Sequence, residues 1–156
     1  MKIYQSFSSA ETKKLGAALA RRALGAKPRK KALVFALVGD LGSGKTTFIQ
    51  GFLRGLGIRK KAASPTFIIF RRFVINSGSK IRDKIRDIYH IDAYRLKKTR
   101  ELLALGIKEI FSDPRNVVLV EWAEKIKRIL PKGAKWIKFE HGRRENERSL
   151  IFSTSQ

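Results

Sequence analysis

The chain has 156 residues, within the range of one globular domain, and its 43% apolar and 31% charged residues supply a core while excluding a disordered polyelectrolyte; the reading is one domain over 1–156. Cysteine is absent and His90 and His141 are the two histidines, which excludes disulfides, thiolate zinc, a thiol nucleophile and a histidine cage, so any metal must be held by oxygen. Thirty-five Lys and Arg against thirteen Asp and Glu leave a net charge of +22, which favours a polyanion such as RNA as partner, although a composition bias or salt adaptation would give the same figure.

The opening MKIYQSFSSAETKK has no apolar signal stretch, and the longest apolar run, Ala32–Val38, is far too short to cross a bilayer; the expectation is a cytoplasmic protein without a membrane segment. Ser8-Ser9-Ala10-Glu11 has capping-box spacing, and Leu15, Ala18, Leu19 and Ala23 recur at helical intervals, which predicts a first helix ending near Leu24. After a basic loop, Ala32–Val38 is uninterrupted and apolar, the pattern of a central parallel strand buried on both faces. Phe48, Ile49, Phe52, Leu53 and Leu56 then mark one face of a helix that stops at Gly57. Phe67–Ile75 and Ile85–Ile91 predict a hairpin with a loose basic tip, and Arg100–Leu105 reads as helix. Asn116–Val120 is a second apolar strand running into Glu121-Trp122, followed by a short helix that Pro131 ends. Lys135–Phe139 and Ser149–Ser153 close the chain as two strands around the polar turn HGRRENER.

Between the first apolar strand and its helix, Gly39-Asp40-Leu41-Gly42-Ser43-Gly44-Lys45-Thr46 matches G-x-x-x-x-G-K-S/T in full. Its glycines admit backbone angles and close approaches that let successive N–H groups cradle phosphate oxygens, and the helix start adds its positive dipole end. The nucleotide-binding stretch is therefore Asp40, Leu41, Gly42, Ser43, Gly44, Lys45, Thr46 and Thr47, with Lys45 reaching the β- and γ-phosphates and the Thr46 hydroxyl supplying a ligand to Mg²⁺. Such a site needs an acid at the end of a neighbouring strand. Glu121 follows four apolar residues and Asp92 ends Tyr89-His90-Ile91-Asp92, so the two carboxylates are candidates for holding the metal and orienting water. Arg95 is near enough in sequence to pair with Asp92 instead. Trp122 reads equally as a stacking platform or as packing, and His90, with no acid at a telling spacing, reads as packing.

The loop GDLGSGKTT, Ser64-Pro65-Thr66-Phe67, His90-Ile91-Asp92-Ala93-Tyr94-Arg95-Leu96, Val120-Glu121-Trp122 and Leu130-Pro131 together resemble the TsaE family, formerly called YjeE, over nearly the whole chain. The resemblance implies a P-loop NTPase-type α/β fold, a three-layer sandwich with a mainly parallel central sheet and antiparallel edge hairpins. It implies a weak ATPase using ATP and Mg²⁺, whose turnover resets TsaD and TsaB, the proteins that place threonylcarbamoyl on adenosine 37 of tRNA. By position, Lys45 and Thr46 bind phosphate and Mg²⁺, Glu121 is the second metal ligand, Asp92 and Thr66 are switch residues for hydrolysis, and Trp122 packs beside the site. The family also brings an arginine from the C-terminal turn to the nucleotide, with Arg143 and Arg144 both open. Ala123 stands where many relatives have Pro. A small nucleoside or nucleotide kinase and a nucleotide-gated RNA-binding module remain as alternatives. For the latter, Arg59-Lys60-Lys61, Arg71-Arg72 and Arg143-Arg144 are the candidate tRNA-contacting patches. No N/T-K-x-D segment favours a GTPase.

Overall fold

The structure is a computed structural model that describes residues 1–25, 28–59, 69–75, 81 and 83–154. In chain order the elements are β1 (Lys2–Ser6), α1 (Ser9–Leu24), β2 (Leu33–Val38), α2 (Lys45–Gly55), β3 (Phe70–Val74), β4 (Asp87–Asp92), α3 (Arg100–Ala104), α4 (Ile107–Ser112), β5 (Asn116–Glu121), a 3-10 helix (Ala123–Ile129), β6 (Lys135–His141) and β7 (Arg148–Thr154). The expected helix at the N-terminus forms for the expected reason: the Ser8 hydroxyl accepts from the Glu11 N–H at 3.1 Å, and Glu11 Oε2 accepts from the Phe7 N–H at 2.7 Å.

All seven strands join one sheet in the order β1-β7-β6-β2-β5-β4-β3. The two apolar runs are neighbours, β2 pairing with β5 in parallel from Leu33↔Val117 to Leu37↔Glu121. β6 and β4 flank them, also in parallel, while β7, β1 and β3 pair antiparallel. The four central strands β6, β2, β5 and β4 are thus parallel and the hairpins at the edges antiparallel, as expected, with β1 adding one further antiparallel edge strand. β1 was not expected, having no apolar run, and α4 appears as a second short helix beyond Gly106. The SPTF segment and the tip of the β3–β4 hairpin lie outside the described residues.

Alternation along the strands divides the interior into two cores. Leu33, Phe35, Leu37, Val117, Leu119 and Ile88 face α1 and α2, and Val34, Ala36, Val118, Val120 and Ile91 face α3, α4 and the 3-10 helix. Helices therefore cover both sides of the central strands, which explains why β2 and β5 read as continuous apolar runs. α1 and α2 approach through glycines: a Cβ at Gly16 would lie 2.2 Å from the Phe48 carbonyl oxygen, and one at Gly51 would lie 2.1 Å from that of Lys13. This close seat fixes where α2 begins, and hence where the amides of the β2–α2 loop point. Among the described residues no helix is long and apolar enough to cross a membrane.

Candidate functional site

The loop between β2 and α2 turns at three glycines with positive φ, 140° at Gly39, 74° at Gly42 and 100° at Gly44. Gly44 is the N-cap of α2 in left-handed geometry, which side-chain-bearing residues adopt at a cost, so the N–H groups that follow are left pointing out of the helix end. Gly39 is required on a second ground: a Cβ there would sit 2.3 Å from the Phe139 carbonyl oxygen of β6. The result is a turn of main-chain donors at the start of a helix of 11 residues, a geometry suited to an anion.

Lys45, the first residue of α2, is 4% exposed and folds back over the loop. Its ammonium donates to the carbonyl oxygens of Gly39 at 2.6 Å and Asp40 at 2.8 Å and to Ser43 Oγ at 3.4 Å. It also lies 4.2 Å from the centre of the Trp122 ring. Burial lowers the Lys45 pKa below the usual lysine value, and Glu121, Glu124, Asp92 and Asp40 oppose that fall through their negative charge. Trp122 itself takes left-handed geometry, φ 56° and ψ 42°, and no other described non-glycine residue has positive φ. Its ring stands 4.9 Å from that of Tyr94, so it forms one wall of the cleft and combines packing with a cation contact.

The expected acids converge on this loop. β4 and β5 run in parallel register with Asp92 opposite Glu121, and both side chains lie on the α1–α2 side of the sheet. Glu121 is 3% exposed, and each of its oxygens accepts from the Thr46 hydroxyl, at 3.0 and 2.9 Å. The two residues expected to share a metal are thus hydrogen-bonded to each other. Asp92 Oδ1 accepts from the Tyr94 N–H at 3.0 Å, which fixes that carboxylate at the strand end. Residues 41–47, Asp92, Tyr94, Glu121 and Trp122 enclose a cleft of about 290 Å³. Asp40 contributes its carbonyl to Lys45, and Thr47 lines the cleft. Thr66 lies outside the described residues.

Three participants were not legible in advance. His90 has a partner acid after all, its Nε2 lying 2.7 Å from Glu121 Oε1. The residues are 31 apart in sequence, and only strand register reveals the pair. From the last hairpin Arg148 reaches the β2–α2 loop, its Nη2 donating to the Gly42 carbonyl at 3.1 Å. For Arg143 and Arg144 the turn uses the backbone, their N–H groups donating to Glu147 Oε2. His141 Nε2 donates to the Leu41 carbonyl at 3.2 Å, so β6 and β7 brace the loop from its far side. Of the basic patches, Arg72 is engaged by Asp87, which it meets through Nε at 3.1 Å and Nη2 at 3.0 Å.

A threonine hydroxyl with carboxylates is a hard-oxygen donor set, suited to Mg²⁺. Among the described residues no three His, Asp or Glu side chains are grouped to hold a metal.

Comparison with known proteins places these features in one context. Residues 6–150 match the family model described as threonylcarbamoyl adenosine biosynthesis protein TsaE. Curated relatives named tRNA threonylcarbamoyladenosine biosynthesis protein TsaE include those of Bacillus subtilis, 38% identical over 77% of this chain and 68% of its own length, and Haemophilus influenzae, 39% identical over 65% and 59%. The Rickettsia conorii relative is 36% identical over 79% of this chain and 62% of its own length, so the chain spans about three fifths to two thirds of these relatives. The crystal structure of Bacillus subtilis YdiB superposes with a TM-score of 0.72 at 31% identity, covering 99% of this chain and 86% of that one.

Proposed function

Because the chain belongs to the TsaE family of threonylcarbamoyl adenosine biosynthesis proteins, we propose that it is a Mg²⁺-dependent P-loop ATPase. We place it in the formation of threonylcarbamoyladenosine at position 37 of tRNA, in the cytoplasm, beside TsaD- and TsaB-like partners. The observation that carries this reading is the convergence of Lys45, Thr46 and Glu121 on a glycine-built cradle at the end of a buried strand.

The roles follow from the chemistry of each group. The amides at the start of α2 hold the phosphate oxygens, and Lys45 exchanges the Gly39 and Asp40 carbonyls for the triphosphate. That exchange gives the buried ammonium an anionic partner and so opposes the burial that lowers its pKa. Thr46 and Glu121 would hold Mg²⁺, which when bound neutralises phosphate charge as it shifts toward the leaving group. Asp92, anchored by the Tyr94 amide, orients the attacking water and takes up its proton, with Thr66 as the accompanying switch residue. Because the Thr46 hydroxyl bonds both Glu121 oxygens, part of the binding energy goes into opening that contact when the metal binds.

Equilibrium titration with a fluorescent ATP analogue tests the reading. Lys45→Ala removes a charged hydrogen-bond donor, worth about 1.5–3 kcal/mol per bond, and is expected to weaken binding by roughly 10- to 100-fold. Glu121→Ala is expected to retain nucleotide and lose hydrolysis. Wild-type affinity in Lys45→Ala would overturn the assignment.

A further inference from the structure

Glu121 is held from two sides. Thr46 of α2 reaches it from above the sheet, and His90 of β4 reaches it from within. In the parallel register His90 lies opposite Leu119, so Glu121 is its diagonal neighbour on the same face, within reach of a long side chain. The imidazole is fully buried at the top of the core that contains Ile88 and Leu119, where an apolar side chain would pack without any polar cost.

The ring also carries an orphan. Among the described residues its buried Nδ1 has no hydrogen-bond partner. A nitrogen 2.7 Å from a carboxylate oxygen must bear the proton, which assigns N–H to Nε2. A buried ring with one nitrogen unsatisfied costs free energy, and its bond to the carboxylate is the interaction that offsets it.

We propose that His90 is a positioning residue for Glu121: its Nε2–H locks the rotamer in which the carboxylate faces the Thr46 hydroxyl, and so prepares the acid to bind the divalent ion. The inference rests on the magnesium reading given above and adds a residue to it. Outer partners of this kind orient metal-binding groups, and their loss typically costs about 10- to 100-fold in metal affinity.

The test uses the full chain with a non-hydrolysable ATP analogue and Mn²⁺ as a paramagnetic probe, free and bound ion being counted by electron paramagnetic resonance. His90→Phe should lose about 10- to 100-fold in Mn²⁺ affinity while its affinity for the analogue in EDTA stays at the wild-type value. His90→Gln, whose amide N–H reaches toward the same oxygen, should restore most of the loss. Nitrogen-15 spectra of the unmutated protein should show a hydrogen-bonded proton on Nε2 of His90, a readout that needs no variant to fold. Wild-type Mn²⁺ affinity in His90→Phe, or an Nε2 that carries no proton, overturns the inference. Glu121→Ala separates the two levels. If it too binds Mn²⁺ normally, the magnesium reading fails; if it loses Mn²⁺ and His90→Phe does not, only the role of His90 fails.

Discussion

At Gly51 an added methyl group has nowhere to go. Its Cβ would lie 2.1 Å from the Lys13 carbonyl oxygen, 2.5 Å from Lys13 Cα and 2.6 Å from the Lys13 carbonyl carbon, all main-chain atoms of α1 that no rotamer change can move aside. Carbon and oxygen settle at about 3.3–3.6 Å in close backbone contacts, so α1 and α2 would have to part by more than an ångström locally. Gaps of about 0.5–1 Å already forfeit a quarter to a half of each dispersion contact, and overpacking against main-chain atoms falls in the upper part of the usual range, roughly 2–3 kcal/mol. Alanine returns about 1 kcal/mol as a better helix former, leaving a net loss of roughly 1–2 kcal/mol for Gly51→Ala. At about 2–4 °C per kcal/mol for a chain of this size, the melting midpoint should fall by about 2–8 °C in calorimetry. The same displacement moves the start of α2, so affinity for ATP should fall with it although residue 51 touches no nucleotide. Gly25→Ala is the control, because its nearest heavy atom would be 3.7 Å away and its φ is −80°. A Gly51→Ala protein that melts at or above the wild-type temperature would refute the close helix approach and the argument built on it.

Two further outcomes test the remaining electrostatics. Asp87 is fully buried and accepts from Arg72 and, at 2.9 Å, from Arg86, which also meets Asp113 at 2.8 Å. Since both arginines are partly exposed and screened, Asp87→Ala should cost roughly 1–3 kcal/mol by urea unfolding, with less loss in high salt; a neutral substitution would remove the network from the stability argument. Lys45 has a pKa lowered by burial, so between its folded and unfolded values the unfolded chain binds more protons and the penalty on the folded state eases as pH rises through that window. Triphosphate reverses the shift, and calorimetry in alkaline buffers of different ionisation enthalpy should therefore register proton uptake on ATP binding. Proton release would contradict the assigned contact.

The most legible parts of this molecule are those whose burial is complete. β2 and β5 are sealed on both faces, so their apolar runs announce central strands, and the glycine-built turn between β2 and α2 follows from the residue pattern alone. β1 escaped notice because an edge strand that is mostly exposed has no need of an apolar run, and α4 because Gly106, at φ 77°, ends one short helix and starts another. The partners His90 and Arg148 were hidden for a different reason. Each meets its target through strand register, which depends on how distant segments align and leaves no local spacing to read.

That dependence also explains why the acids stand where they do. On the α1–α2 side, β4 presents Ile88, His90 and Asp92 in succession while β5 presents Val117, Leu119 and Glu121, so two adjacent strands pass together from core to polar side chains at their C-terminal ends. The apolar part of each run seals the strand into the sheet, and the last residue inherits that burial. A carboxylate left there without donors would be costly to keep charged, and Thr46 and His90 supply the donors Glu121 needs. The apolar run ending in an acid is therefore a functional signal only when neighbouring elements deliver such donors: Thr46 comes with the phosphate loop, and His90 comes with the register of β4 against β5.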